Sequence, residues 1–220
     1  MKNLFSLDNP FMQMLSHVAD FILLNLLFLL CSLPVVTMGA SIAALHKVMQ
    51  DVVFDADNRV CSRFFSAFKE NFKQATAVWL GTLVVCAALA ADAILIHLYF
   101  RGALAGILYA LLIVLAVVVI GTLNYLFPLM VRYSNTVKEH VCNAVILAVC
   151  KLPRTLLLCL LTLLPVLLLF FAPMTFVMTL IFWVIVGFSV VVYLKNVILK
   201  PVYLNVEAVQ RGEGSITIMK

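Results

Sequence analysis

Charge is what this sequence has least of. Asp, Glu, Lys and Arg make up 11% of its 220 residues, while 65% are hydrophobic. Soluble domains sit nearer a quarter charged and half apolar, so water is not the main solvent for this chain. Catalytic spacings are missing as well. There is no H-E-x-x-H, no G-x-S-x-G and no G-x-x-x-x-G-K-[ST]. The expectation is a non-enzymatic protein with no metal or cofactor, and one without an ATP-binding domain to power transport by itself. No C-x-x-C pair occurs among Cys31, Cys61, Cys86, Cys142, Cys150 and Cys159, and most of these lie in or beside apolar blocks. Neither a disulfide framework nor a zinc site is supported, and buried cysteine behaves as a small hydrophobe. His17, His46, His97 and His140 are scattered one per segment, as packed or interfacial residues rather than metal ligands.

What the chain does have is long apolar blocks and a mean hydropathy of +1.16. A helix apolar all round needs a large core or lipid, and a chain this short cannot bury several in protein alone. The blocks run at about 20–45, 75–98, 103–131, 155–171 and 174–199, each near or above the ~20 residues that cross ~30 Å of hydrocarbon. The fold class expected is all-α: a polytopic transmembrane bundle of about five spanning helices, forming one membrane domain over 1–220. The first block could be a signal peptide cut near 39–44. The only early basic residue is Lys2, however, and four more blocks follow, so it reads as an anchor. Pro34 should bend this helix, and Gly39, Ala40 and Ser41 after it admit a close neighbour. Ala172-Pro173 makes a tight hairpin between blocks four and five.

Lys and Arg concentrate in alternate connections. Lys47, Arg59, Arg63, Lys69 and Lys73 lie between blocks one and two, and Arg132, Lys138, Lys151 and Arg154 between three and four. Lys195, Lys200, Arg211 and Lys220 form the basic end, whereas the other connections carry only Arg101. Positive charge stays on the cytoplasmic side, so five crossings put the N-terminus outside and the C-terminus in the cytoplasm. A first block that re-enters at Pro34 would move the N-terminus inside. This placement accounts for the net charge of +5 without a nucleic-acid partner.

Between the first two blocks, about 51–73, Phe64, Phe65, Phe68 and Phe72 cluster at helical spacing. Arg63, Ser66, Lys69, Glu70 and Lys73 mostly fill the other face. Such a cytoplasmic amphipathic helix either rests on the bilayer surface as a lead-in to the second crossing or docks a partner. Asn124 through Pro128 and Asn196 through Pro201 close two blocks in similar fashion, which suggests two parallel hairpin repeats.

Ionisable groups within lipid are costly, which singles out Asp92. It stands roughly two turns before Arg101, with His97 between. Together with Asn25 these form a candidate polar intramembrane cluster that either binds a solute or locks helices together. Asp20, Thr37, Ser41 and Asn124 read as interhelical hydrogen-bonding groups. Gly102 and Gly106 match G-x-x-x-G, at a helix start.

Residues 25–40 (NLLFLLCSLPVVTMGA), 64–76 (FFSAFKENFKQAT), Asn143-Ala144 and 152–155 (LPRT) resemble the YesL family, bacterial membrane proteins grouped as domain of unknown function 624. The resemblance implies a small multi-pass protein of the bacterial plasma membrane, with no catalytic residue set to carry over. Members are often encoded beside sugar-uptake ABC transporters, which implies an accessory or assembly role with permease subunits. The lipid bilayer is the evident partner, and a homo-oligomer is compatible with the pattern. A small-solute transporter or channel with Asp92 in the pathway is the alternative. A membrane sensor working through 51–73 is weaker, because the outer connections are short.

Overall fold

A computed structural model describes residues 10–54 and 60–210, all in helices and short connections, with no strand among the described residues. Five helices are long and apolar enough to cross a membrane: Leu15–Ser32, Val60–Tyr99, Gly102–Arg132, Leu152–Phe171 and Pro173–Ala208. Helices are what a lipid-bound backbone requires, since each satisfies its own N–H and C=O groups.

The first block is not one crossing. Helix α1 spans Pro10–Ser32, the chain breaks at Pro34 in extended conformation, and a 3-10 turn at Val35–Thr37 leads into α2, Met38–Val53. Proline has no N–H and disfavours helix at the residue before it. The Thr37 hydroxyl takes up Cys31 O at 2.7 Å and Pro34 O at 2.9 Å, capping the end of α1. The direction of each helix follows from its partners on the last helix, α8, Phe188–Gln210. In α1, Phe21 packs edge-on against Tyr193 and Phe28 lies tilted against Phe188, so α1 runs against α8. In α2, His46 meets Asn196 and Gln50 meets Tyr203, so α2 runs with it. The expected bend at 20–45 is therefore a reversal. The alternation that put the N-terminus outside counted this block as one pass. With α2 returning, the start of α1 and the end of α2 lie at the same end of the molecule.

Helix α2 is the central element, and its small residues explain why. Gly39, Ala40, Ser41, Ala43 and Ala44 are all buried. The chain then re-enters helix as α3, Val60–Tyr99. At 1.5 Å per residue its 40 residues reach ~60 Å, twice the hydrocarbon thickness. From Val60 onward the amphipathic segment and the second crossing are thus one continuous helix; the first residues of the 51–73 segment close α2, and 55–59 lie outside the described residues. Its phenylalanine face is divided between the protein core and the exposed surface. Phe64 is fully buried, with Phe68 packed alongside, against α1 and α2; Phe65 and Phe72 stay 45% and 36% exposed. Lys69 and Lys73 are exposed. Phe64 and Phe68 belong to the core because α2, which hydropathy merged with the first crossing, comes back to cover them.

Gly102, at φ 67°, turns the chain into α4, Gly102–Arg132. A helix not read from the sequence, α5 at Val137–Cys150, follows a capping box in which Thr136 and Glu139 satisfy each other's backbone N–H groups. Then come α6, Leu152–Phe171, and α7, Pro173–Phe182, joined to α8 through a π-helical turn at Trp183–Gly187. Packing is uneven along these elements. In α4, nearly every residue from Gly121 to Val131 is buried and none before Gly121 is. Nothing in α7 is buried. The α3–α4 and α6–α7 hairpins therefore project from a packed base, with apolar sides facing outward.

At the opposite end Arg132 fastens three elements. Its guanidinium donates twice to Glu207 Oε1, at 2.6 and 2.8 Å, and lies over the rings of Phe54 and Tyr203 at 4.2 and 4.8 Å. Lys200 Nζ donates to Val53 O at 2.9 Å beside it, and Arg63 reaches Asp51 at 3.6 Å.

The α2–α3 contact has no spare room. A Cβ at Gly39 would lie 2.5 Å from both Ala75 O and Trp79 Cβ, whereas Gly81 and Gly106 have nothing within 4 Å. Gly106 therefore packs nothing, and the G-x-x-x-G spacing does no packing within the chain. Gly39→Ala should cost about 1–3 kcal/mol through overpacking. Gly81→Ala and Gly106→Ala should leave stability level or slightly raised, through helix propensity. Thermal unfolding midpoints in a neutral detergent check this; equal behaviour of the three would contradict the close α2–α3 approach.

Candidate functional site

The four residues expected to form an intramembrane cluster do not meet. Asp92, His97 and Arg101 are exposed on the projecting α3–α4 hairpin, and no ion pair or hydrogen bond joins them among the described residues. Asp92 borders an open apolar groove with Leu95 and Ile96 of α3, Phe100 just beyond it, and Leu108 and Leu111 of α4. Helical spacing along one element could not reveal that its neighbour offers Asp92 only leucines. Asn25 is elsewhere, fully buried in the base.

Asn25 is the partner of the π turn. A π turn leaves carbonyls and amides unmatched to the usual i→i−4 ladder. The Asn25 amide donates to Trp183 O at 3.1 Å and Val184 O at 2.6 Å, and its carbonyl accepts from Ser189 N at 3.0 Å. One side chain thus completes the irregular backbone and ties α1 to α8. Gly187 is required as well, because a Cβ there would sit 2.6 Å from the Trp183 ring.

A second polar chain runs through the base and was not anticipated. The Gln50 amide donates to Pro128 O at 2.9 Å and to the Tyr203 hydroxyl at 3.2 Å. That hydroxyl donates to Asn196 Oδ1 at 3.3 Å. The Asn196 amide donates to Val192 O at 2.9 Å and faces His46 Nδ1 at 3.2 Å. Because an amide nitrogen only donates, Nδ1 must accept, and the histidine proton resides on Nε2. With Nδ1 accepting and one proton on Nε2, the imidazole is neutral. Asn124 mirrors Asn196. Each amide donates to the carbonyl one turn back, at 2.9 Å, and each carbonyl accepts a hydroxyl, from Thr162 at 2.6 Å in the case of Asn124. The two asparagines that suggested a repeat therefore do the same local job.

Around this chain lies a cavity of about 200 Å³ between α1, α2, α6, the π turn and α8. Phe28, Ile42, Leu45, Trp183, Phe188 and Val191 supply much of its apolar wall, and His46, Thr162 and Lys195 its polar groups. Lys195 is only 8% exposed. The sequence grouped it with the basic tail, but it stands inside the fifth apolar block and within the helix core. Its position in that block was the available signal. Among the described residues no cluster of His, Cys, Asp and Glu is arranged to hold a metal ion.

Residues 21–93 match the model of a family described as "Protein of unknown function, DUF624". The match covers about a third of the chain and supports the family reading of its motifs; it does not extend to the YesL name. The DUF624 segment takes in most of α1, all of α2 and most of α3. It thus includes the reversal at Pro34, Asn25, His46 and the buried Phe64. No curated protein and no solved structure matches the chain.

One comparison of unfolding midpoints follows. Asn25→Ala strands a buried amide and two carbonyls and should cost about 1–3 kcal/mol, while Asp92→Asn should leave the unfolding midpoint unchanged. The reverse ranking would restore Asp92 as the structural polar group.

Proposed function

We propose that this protein is a non-enzymatic partner of other membrane proteins, acting as an accessory or assembly subunit for the permeases of an ABC-type carbohydrate importer. The observation that carries the reading is the pair of projecting hairpins. The first half of α4 and the whole of α7 bury nothing within the chain, yet present large apolar side chains such as Ile107, Leu111, Val114, Met178 and Ile181. Lipid covers such surfaces, and so do the helices of another membrane protein, where van der Waals packing decides. Most polar groups of the base are meanwhile consumed in holding its own helices, which favours a scaffold over a conduit. The carbohydrate assignment rests on the family resemblance.

We place the protein in the bacterial plasma membrane with the end bearing Arg63, Arg132 and Lys200 in the cytoplasm. The returning α2 then puts the N-terminus on that side, together with the C-terminus. The alternative, a small-solute transporter or channel with Asp92 in the pathway, needs that carboxylate to face an aqueous route. It borders a leucine-lined groove on the outer hairpin, so only an oligomer closing around it would provide one.

Cys86 is exposed on the projecting part of α3 and offers a native cross-linking handle. In a variant whose other exposed cysteines, Cys61, Cys142 and Cys150, are changed to serine, treating native membranes with a bismaleimide and purifying the tagged chain should recover importer permease subunits, and adding Cys86→Ser should lose the adduct. Recovery of the chain alone, or of its own dimer only, would overturn the assembly role.

A further inference from the structure

We propose that the cavity between α1, α2, α6 and α8 is a binding site for an anionic amphiphile, whose acidic head is received by Lys195. The first observation is an unmatched charge. Lys195 is 8% exposed, and among the described residues it makes neither an ion pair nor a hydrogen bond. A buried ammonium without a counter-charge is among the least stable arrangements a helix core can hold. No Asp or Glu lines this cavity.

The second observation is the polarity of what surrounds that charge. His46 is fixed with its proton on Nε2, because Nδ1 faces the Asn196 amide at 3.2 Å. That Nε2–H has no partner among the described residues and belongs to a ring on the cavity wall. Thr162, the third polar lining group, has its hydroxyl hydrogen engaged by Leu158 O at 2.7 Å and Asn124 Oδ1 at 2.6 Å. The site thus offers an ammonium and an N–H donor but no anionic acceptor. A phosphate or carboxylate fits this set, whereas a cation does not.

The remaining wall is apolar, which argues against a free inorganic ion. At about 200 Å³ the cavity is smaller than the ~300–1,000 Å³ of sites that enclose a drug-sized molecule. It suits the head and first carbons of one acyl chain, with the rest of the chain in the bilayer. α1, α6 and α8 each belong to a candidate membrane span, so a lipid-derived ligand has a short way in. A phospholipid phosphate and a fatty-acid carboxylate share the required chemistry.

The test is thermal unfolding of the full chain in a neutral maltoside detergent at fixed ionic strength, with four probes: decyl phosphate, decanoate, decanol and inorganic phosphate. Decyl phosphate, decanoate or both should raise the midpoint by several degrees, and whichever acts names the source. Decanol and inorganic phosphate should not. Lys195→Met replaces a buried charge by an apolar chain of similar length; it should raise the midpoint without ligand and abolish the shift. Equal stabilisation by decanol, an inorganic phosphate effect matching decyl phosphate, no shift from either charged amphiphile, or a shift that survives in Lys195→Met would each overturn the proposal. If Lys195→Met does not accumulate, the contrast between the charged amphiphiles and decanol in the wild-type protein decides the matter.

Discussion

The close approach of α2 to α3 is the constraint from which most of the architecture follows. Gly39 lies against the backbone of Ala75 and the side chain of Trp79, with no space for even a methyl group. Because the backbones can approach this closely, α2 fits between α3 and α8, and Phe64 and Phe68 are covered by protein rather than lipid. The reversal at Pro34 brings this about, since it returns a small-residue helix along the chain that has just passed. Trp79 closes the arrangement by donating its indole N–H to Val35 O at 2.8 Å, holding the turn against α3.

Within that frame, polar side chains act mainly as fasteners. In lipid, packing and hydrogen bonds must supply the specificity that the hydrophobic effect supplies in water. Asn25 binds the π turn of another span, Gln50 binds a carbonyl at the proline of α4, and Asn124 and Asn196 each accept a hydroxyl while bonding their own helix. These groups lie where a regular ladder is interrupted or where helices cross. Lys195, which makes no ion pair or hydrogen bond among the described residues, is the exception in the base.

The existence of the membrane helices was legible because hydropathy records how long a segment stays apolar. It does not record direction, so the block at 20–45 looked like one bent crossing when it is one helix and part of a returning second. The same blindness hid the role of Phe64: a one-sided aromatic face is identical whether lipid or another helix covers it. α5 escaped notice because its fourteen residues are too short and too mixed for a span, although the Thr136–Glu139 spacing marks its start. Asp92 drew attention for its charge, but chemistry in a bundle depends on which neighbours arrive. Those neighbours are set by long-range packing that periodicity along one helix cannot contain.

The uneven distribution of burial gives the molecule two mechanical regimes. Its base is cross-linked by polar contacts, aromatic pairs and the Arg132 clamp, so helices there cannot slide independently without breaking several interactions at once. The hairpins above it are held by little more than their own two helices; between α3 and α4 the side-chain hydrogen bond is Tyr109 to Ala93 O, at 3.4 Å. Free energies of local opening track such contact density, so the outer hairpins are the parts able to adjust to another surface while the base keeps its shape. The Lys195 cavity lies at the border of the two regimes, framed by the π turn and by Pro165 of α6. A ligand seated there would touch α1, α2, α6 and α8 at once, joining the rigid base to the foot of the α6–α7 hairpin and biasing how that hairpin is presented.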